Sequence, residues 1–316
     1  MTDTQTDQAR RFTGQGLTKE TKSGTAALKD AGIDWTVKAV DLRELTLHEG
    51  GERWFAAIRE EDGRMIGCNG KRHTMIQNSA MAEWADTIIH MNDSFTITGA
   101  GAFPQGDKAY MVLTSDHDLH FGDGDDVGRS SILLVNDFNG NSPLQAVAFV
   151  GRLACTNQIS GITRGRKLNG HKLVTVSHTR SSTWKVEAAK DTLRELVHEM
   201  DDVELELQRL LKIKCTPERA TLAAVGERPE EKTDEDGAVT NQRSINDWER
   251  RREVFRAELF APWNEHLSRT ALGAVMAAQG IDEHLSKSTD REVSRVNRLI
   301  EANFPTMNRV LAAIAS

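Results

Sequence analysis

The chain has 316 residues, of which 38% are hydrophobic and 28% charged, and it carries a net charge of −7. That length buries a sizeable core and holds one or two domains. No apolar run approaches the roughly 18 residues of a membrane-crossing helix. Three isolated thiols, Cys68, Cys155 and Cys215, argue against a disulfide framework or a zinc site of CxxC spacing.

Met1 to Arg11 is polar and has no apolar signal core. Residues 1–24 are read as a flexible arm, and the cytoplasm of a bacterial host is the expected compartment. Thr25 to Ala31 reads as a short helix closed by Gly32. Asp34 to Val40 alternates polar and apolar residues and predicts a strand. Glu52 to Arg59 and Arg64 to Cys68 predict a hairpin turning at Glu61-Asp62-Gly63. Met75, Met81, Trp84, Ala85 and Ile88 make an apolar stripe, which predicts a helix over Thr74 to Met91.

Strands are then expected at Ser94–Thr98, Lys108–Thr114, Ser130–Asn136, Leu144–Cys155 and His171–Thr179. Gly99–Gly106 is read as a glycine-rich turn and Asp116–Gly128 as an acidic surface loop. Asp137–Pro143 reads as an Asn/Gly turn, and Gly161–Gly170 as a basic, glycine-rich loop. From Ser182 to Lys214 apolar residues recur at three and four, which predicts a helix about 45–50 Å long. Gly226–Arg243 is read as a linker or mobile loop. Helices follow at Ser244–Phe260, from Pro262 to about Leu285, at Ser288–Asn303 and at Thr306–Ile314.

The strands arrive as hairpins and not as βαβ units. The expected fold is α+β, a largely antiparallel β-meander packed on helices and followed by a helical C-terminal half. The expected divisions are an α+β core over residues 25–215 and a helical region over residues 216–316.

One stretch stands apart. Phe138 to Val186 contains no Asp or Glu and seven cations, Arg152, Arg164, Arg166, Lys167, Lys172, Arg180 and Lys185. A segment of +7 in a chain of −7 leaves −14 for the remainder. A local positive field in an acidic protein is the footprint of a polyanion site. A buried sheet that excludes carboxylates explains the same gap, because burying charge is costly.

Within the stretch, Gly161 to Lys167 joins glycines to Arg164, Arg166 and Lys167, a combination suited to phosphate. Trp184, beside Lys185, is a candidate stacking aromatic. Outside it, Lys71-Arg72-His73 precedes a helix, the end where an anion is welcome. His117, His120 and the acids between Asp116 and Asp126 crowd one loop, but their order does not match an EF-hand and no metal is assigned. No cofactor motif and no nucleophile arrangement is present, so catalytic residues are not named.

Several segments resemble the phage/plasmid-like family described only as a domain of unknown function, number 932. Ala31-Gly32-Ile33-Asp34-Trp35-Thr36-Val37 resembles its AGLDW-x-V opening, and Ile76-Gln77-Asn78 resembles its helix-start IQN. Leu133 to Gly140 resembles LLLTNSHDG, Ala146 to Asn157 resembles RVALTPVRVVCQN, and Val176 to Thr179 resembles IRHT. Thr270 to Val275, followed by Asp282 and His284, resembles a late motif. The resemblance implies a mobile-element or phage origin and no established activity. In layout alone, a helix, a β-meander and a long helix are similar to Redβ/RecT-type single-strand annealing proteins.

The expectation is a non-catalytic protein that binds and anneals single-stranded DNA in a recombination-type role and assembles as a homo-oligomeric ring or filament without a membrane. Arg152, Arg164, Arg166, Lys167, Lys172, Arg180, Lys71 and Arg72 would neutralise phosphates, and Trp184 would stack on a base. Two other readings stand beside it. One is a mobile-element interaction or host-inhibitor protein acting through the helical tail. The other, ranked last, is a metal-dependent nuclease using the loop from Asp116 to Asp126.

Overall fold

The computed structural model describes residues 17–42, 54–70, 72–103, 106–121, 127–140, 143–152, 158–159, 174–179, 182–284 and 305–315. In chain order the elements are α1 (Gly24–Asp30), β1 (Val37–Asp41), β2 (Trp54–Arg59), β3 (Met65–Gly70) and α2 (Asn78–Met91). Then come β4 (Phe95–Ala102), β5 (Lys108–His120), β6 (Val127–Asp137), β7 (Leu144–Arg152), β8 (Gln158–Ile159) and β9 (Val174–Val176). The rest is helical: α3 (Ser182–Lys212), α4 (Pro217–Val225), α5 (Gln242–Leu259), a 3₁₀ turn (Glu265–Leu267), α6 (Ala271–His284) and α7 (Pro305–Ala315). The fold is α+β, with its later part mostly helical.

Two compact units divide the chain. The first comprises residues 1–118, 129–156 and 171–201; the second comprises 119–128, 157–170 and 202–316. A three-stranded sheet of order β1-β2-β3 and a six-stranded sheet of order β4-β5-β6-β7-β8, with β9 also on β7, are both built from hairpins. The β2–β3 hairpin turns where the sequence predicts, and Gly63 adopts a φ of +69° that favours glycine. Asp62 accepts from the Arg59 guanidinium across that turn.

In the first unit one core joins both sheets to the helices. Trp35, Ile66, Ile76, Met81, Trp84, Ile88, Phe95, Met111, Leu134, Phe138, Val176 and Leu193 are all buried in it. Each such side chain contributes about 1.5–3 kcal/mol by leaving water. The Trp84 indole N–H donates to the Val186 carbonyl at 3.1 Å, so this buried ring ties α2 to the start of α3.

Several boundaries differ from expectation. The strand β5 runs on to His120, through residues read as loop. Buried Leu119 and Phe121 anchor that extension, and Arg129 pairs with Asp118 at 2.7 Å across to β6. Likewise β4 takes in Gly99–Ala102, with a register shift between Ile97 and Gly99. Helix α2 starts at Asn78 and not at Thr74, because residues 74–77 spend their backbone and side chains on other partners.

The second unit packs α4, α5, α6 and α7 together. Helix α4 was not anticipated, although Thr216 caps Arg219 N at 3.2 Å, Pro217 opens the helix and Gly226 closes it at φ +76°. The helix expected from Pro262 begins only at Ala271. Buried Asn264 turns its amide onto the carbonyls of Leu259 (3.3 Å) and Gly273 (3.1 Å), which fixes a turn there. Thr270 Oγ1 then accepts Gly273 N at 3.1 Å and starts α6. Residues 226–243, read as a linker or mobile loop, form a hydrogen-bonded turn: Asn241 Oδ1 accepts Lys232 N, its Nδ2 donates to Glu230 O, and Thr233 bridges Val239. The predicted helix at Ser288–Asn303 lies outside the described residues.

Candidate functional site

The segments that carry the family resemblance meet in space. Gln77 turns its amide onto the first residue of β1: Oε1 accepts Val37 N at 2.9 Å and Nε2 donates to Val37 O at 2.8 Å. Asn78 Nδ2 donates to Ile33 O at 2.8 Å. Asn136, at the end of β6, donates to Ile76 O (2.9 Å) and to Asn78 Oδ1 (3.2 Å). Trp35 packs on Phe138 with ring centroids 5.0 Å apart. Residues 31–37, 76–78, 133–140 and 176–179 thus form one junction.

Two histidines close it. His73, which ends a turn from Gly70, stacks on His178, which follows β9; the centroids are 4.6 Å apart and the planes differ by 7°. Thr74 N donates to His178 O at 3.0 Å, and His178 Nδ1 lies 3.1 Å from Thr74 O and 3.4 Å from Ile76 N. The shorter contact selects the tautomer with the proton on Nδ1, donating to Thr74 O, which leaves Nε2 as an acceptor. Burial, followed by the neighbouring His73 ring, pushes the His178 pKa down to about 4. Burial also lowers that of His73, against the opposing pull of the Asp137 carboxylate. Both rings are therefore neutral near pH 7.

Around the pair lies a buried polar shell. Asp137 is fully buried, accepts Asn139 N at 2.9 Å and faces Lys108 Nζ at 3.5 Å. Asn69 Nδ2 donates to Phe138 O at 2.8 Å. Among the described residues Asn69 Oδ1, Asn136 Oδ1, His73 Nε2 and His178 Nε2 are buried without a hydrogen-bond partner. Leaving one such group unsatisfied costs about 1–3 kcal/mol. With neutral rings and two amide oxygens, this shell offers acceptors and does not attract phosphate by itself. Its clear role is to hold distant segments in one place.

That role bears on the predicted cations. Arg72 lies on the turn between Gly70 and His73, is exposed, and has no ion pair among the described residues. Lys71 precedes it in sequence, and Arg180 follows His178 by two positions. The stacked rings therefore bring His73, with Arg72 beside it in sequence, onto His178 within the acid-free stretch. Helix α3 begins at Ser182, with no acidic residue in its first turn. Its free backbone N–H groups favour anions.

Of the other predicted residues, Arg152 is the last residue of β7 and Trp184 lies in the first turn of α3; their side chains are not described. Lys71, Arg164, Arg166, Lys167, Lys172 and Arg180 lie outside the described residues. Pairing of β7 with β9, with Leu144 opposite Val176 and Ala146 opposite Val174, joins the two halves of the stretch. Buried Leu144, Ala146, Val150, Val174 and Val176 show that part of it is dry interior, as the alternative reading holds.

The acids and histidines at 116–120 alternate along β5, and no group of three His, Cys, Asp or Glu suited to a metal occurs among the described residues. No helix of the described residues is long and apolar enough to cross a membrane. Sequence reading missed Gln77, Asn136 and Asp282 as anchors, and Trp54 as an exposed aromatic. Asp282, buried in α6, accepts Thr306 N (2.9 Å) and Met307 N (3.1 Å) and so caps α7.

The family described as "Domain of unknown function (DUF932)" matches residues 65–302, and the chain belongs to that family. No curated protein and no solved structure matches it.

Proposed function

We propose that this member of the DUF932 family binds single-stranded DNA through its carboxylate-free stretch and promotes annealing, without bond-breaking chemistry of its own. The observation that carries this reading is the junction of His73 with His178. It sets exposed Arg72, next to His73, beside the segment that leads in sequence through Arg180 to α3, whose first turn has no acid. Arg152, Arg164, Arg166, Lys167 and Lys172 extend the same positive stretch in sequence. In this reading they neutralise backbone phosphates, and Trp184 stacks on a base. Bases left partly exposed then pair with a complementary strand, and subunits line up along the DNA as a ring or filament.

Binding of a labelled oligonucleotide, measured against salt concentration, tests this. Each phosphate neutralised on a single strand contributes a slope of about −0.7 in log K against log salt. A steep slope, with preference for single-stranded over duplex DNA, is the expected result. Absence of any complex at low salt removes the proposal.

A further inference from the structure

We propose that Trp54 is a stacking platform for an unpaired base of a single-stranded nucleic acid, a site distinct from the Trp184 position considered above. The inference rests on the single-strand binding reading and adds a contact to it. Trp54 is the first residue of β2 and is 46% exposed. Aromatic rings of this size are usually covered, because each buries 150–250 Å² of mostly apolar surface.

The space beside the ring is kept clear. Trp54 stands opposite Gly70 on β3, on the same face of the sheet. A Cβ built on Gly70 meets nothing within 4 Å. Gly70 has no positive φ, so its backbone does not require glycine; what the missing side chain leaves is open surface next to the indole.

Charge completes the site. Gly70 O accepts His73 N at 2.9 Å, closing a turn that carries exposed Arg72. The His73–His178 stack ties this turn to the segment that follows β9. An exposed aromatic with an exposed arginine on the adjoining turn is an arrangement that takes a base on the ring and its phosphate on the guanidinium.

The surroundings argue against a protein partner. Along β2, the next residue on the Trp54 face is buried Ala56, opposite exposed Cys68. The other exposed large apolar residue of this sheet, Met65, pairs with Ile58 at the far end of β2. Among the described residues of this sheet, Trp54 is thus not part of a broad apolar patch of the kind that marks subunit contacts.

The test uses the full-length protein, a labelled oligothymidylate and an abasic oligonucleotide of equal length. Trp54→Ala should weaken oligothymidylate binding on the order of tenfold, leave abasic binding nearly unchanged, and keep the salt slope, since stacking releases no counterions. Trp54→Phe should retain most of the affinity. Gly70→Val, which fills the cleared space while keeping the indole, should weaken oligothymidylate binding like Trp54→Ala. Thermal melting verifies that the variants fold. If the wild type binds and Trp54→Ala and Gly70→Val bind equally well, the platform is refuted and the binding reading survives. If the wild type binds neither oligonucleotide, both fall. A change in sedimentation mass without a change in affinity would make Trp54 a subunit contact and overturn the inference.

Discussion

His73 and His178 stack ring on ring, 4.6 Å between centroids and 7° from parallel, although β4 to β9 lie between them in sequence. The stack, with the backbone bond from Thr74 N to His178 O, fixes the segment that follows β9 against the entry to α2.

The first prediction concerns pH. In the unfolded chain His178 takes up a proton near pH 6.5; in the fold it resists until about pH 4. Protons bound only by the unfolded state favour unfolding, so stability falls as pH drops from about 6.5 to 4 and the loss levels off below. The difference is worth about 3 kcal/mol, and His73, also shifted down, adds to it. Denaturant melts of wild type and His178→Gln at several pH values measure it. The variant should show a shallower acid slope; equal slopes would mean that the junction does not keep the ring neutral.

Gly67 is a second test. A Cβ there would lie 2.4 Å from Phe138 O and 2.7 Å from Asn139 Cα, both backbone atoms that cannot swing aside. Gly67→Ala should therefore cost about 2–3 kcal/mol, the range for forced overpacking. Gly63→Ala makes a useful contrast, because nothing crowds that position and only its positive φ is strained. Chemical denaturation of both variants separates crowding from backbone strain.

Asp282 caps α7 from inside the second unit. Asp282→Ala strands two buried amide donors and should destabilise by about 1–3 kcal/mol. Limited proteolysis should release the C-terminal segment sooner than in wild type. Unchanged digestion would place the anchoring of α7 in its apolar face alone, where Met307, Val310 and Ile314 are buried.

For the binding stretch, Arg164→Ala, Arg166→Ala and Lys167→Ala combined should flatten the salt dependence of oligonucleotide affinity by about 2 in log–log slope. Arg72→Ala alone should flatten it by less than 1. Exposed Arg72→Ala should keep its melting temperature within the small range usual for surface substitutions. A triple variant with an unaltered slope would assign those cations to something other than phosphate.

The fold was readable where one periodicity dominated. The alternation of Trp35 and Val37, the hairpin turn at Gly63 and the apolar rows of α3 are local signals, and the structure follows them. Reading failed where a distant partner decided the outcome. Thr74 to Gln77 looks helical by pattern, yet His178 and Val37 claim its hydrogen-bonding groups first. Asp116 to His120 looks like a loop by composition, yet Leu119 and Phe121 are buried and Arg129 neutralises Asp118. Asn264 breaks the helix expected from Pro262 through carbonyls on both sides of it. For the site, the cations and the histidines were visible as letters, but the pairing of His73 with His178 is a contact with no sequence periodicity. Trp54 went unremarked because only register shows that it faces a glycine.

Gln77 has one more effect. By occupying both backbone groups of Val37, its side chain stands in for a neighbouring strand at the outer margin of the small sheet. A foreign chain seeking to add itself there would find the first rung already taken. A single amide thereby discourages unwanted polymerisation at a spot where β-proteins commonly need charge or proline to do so.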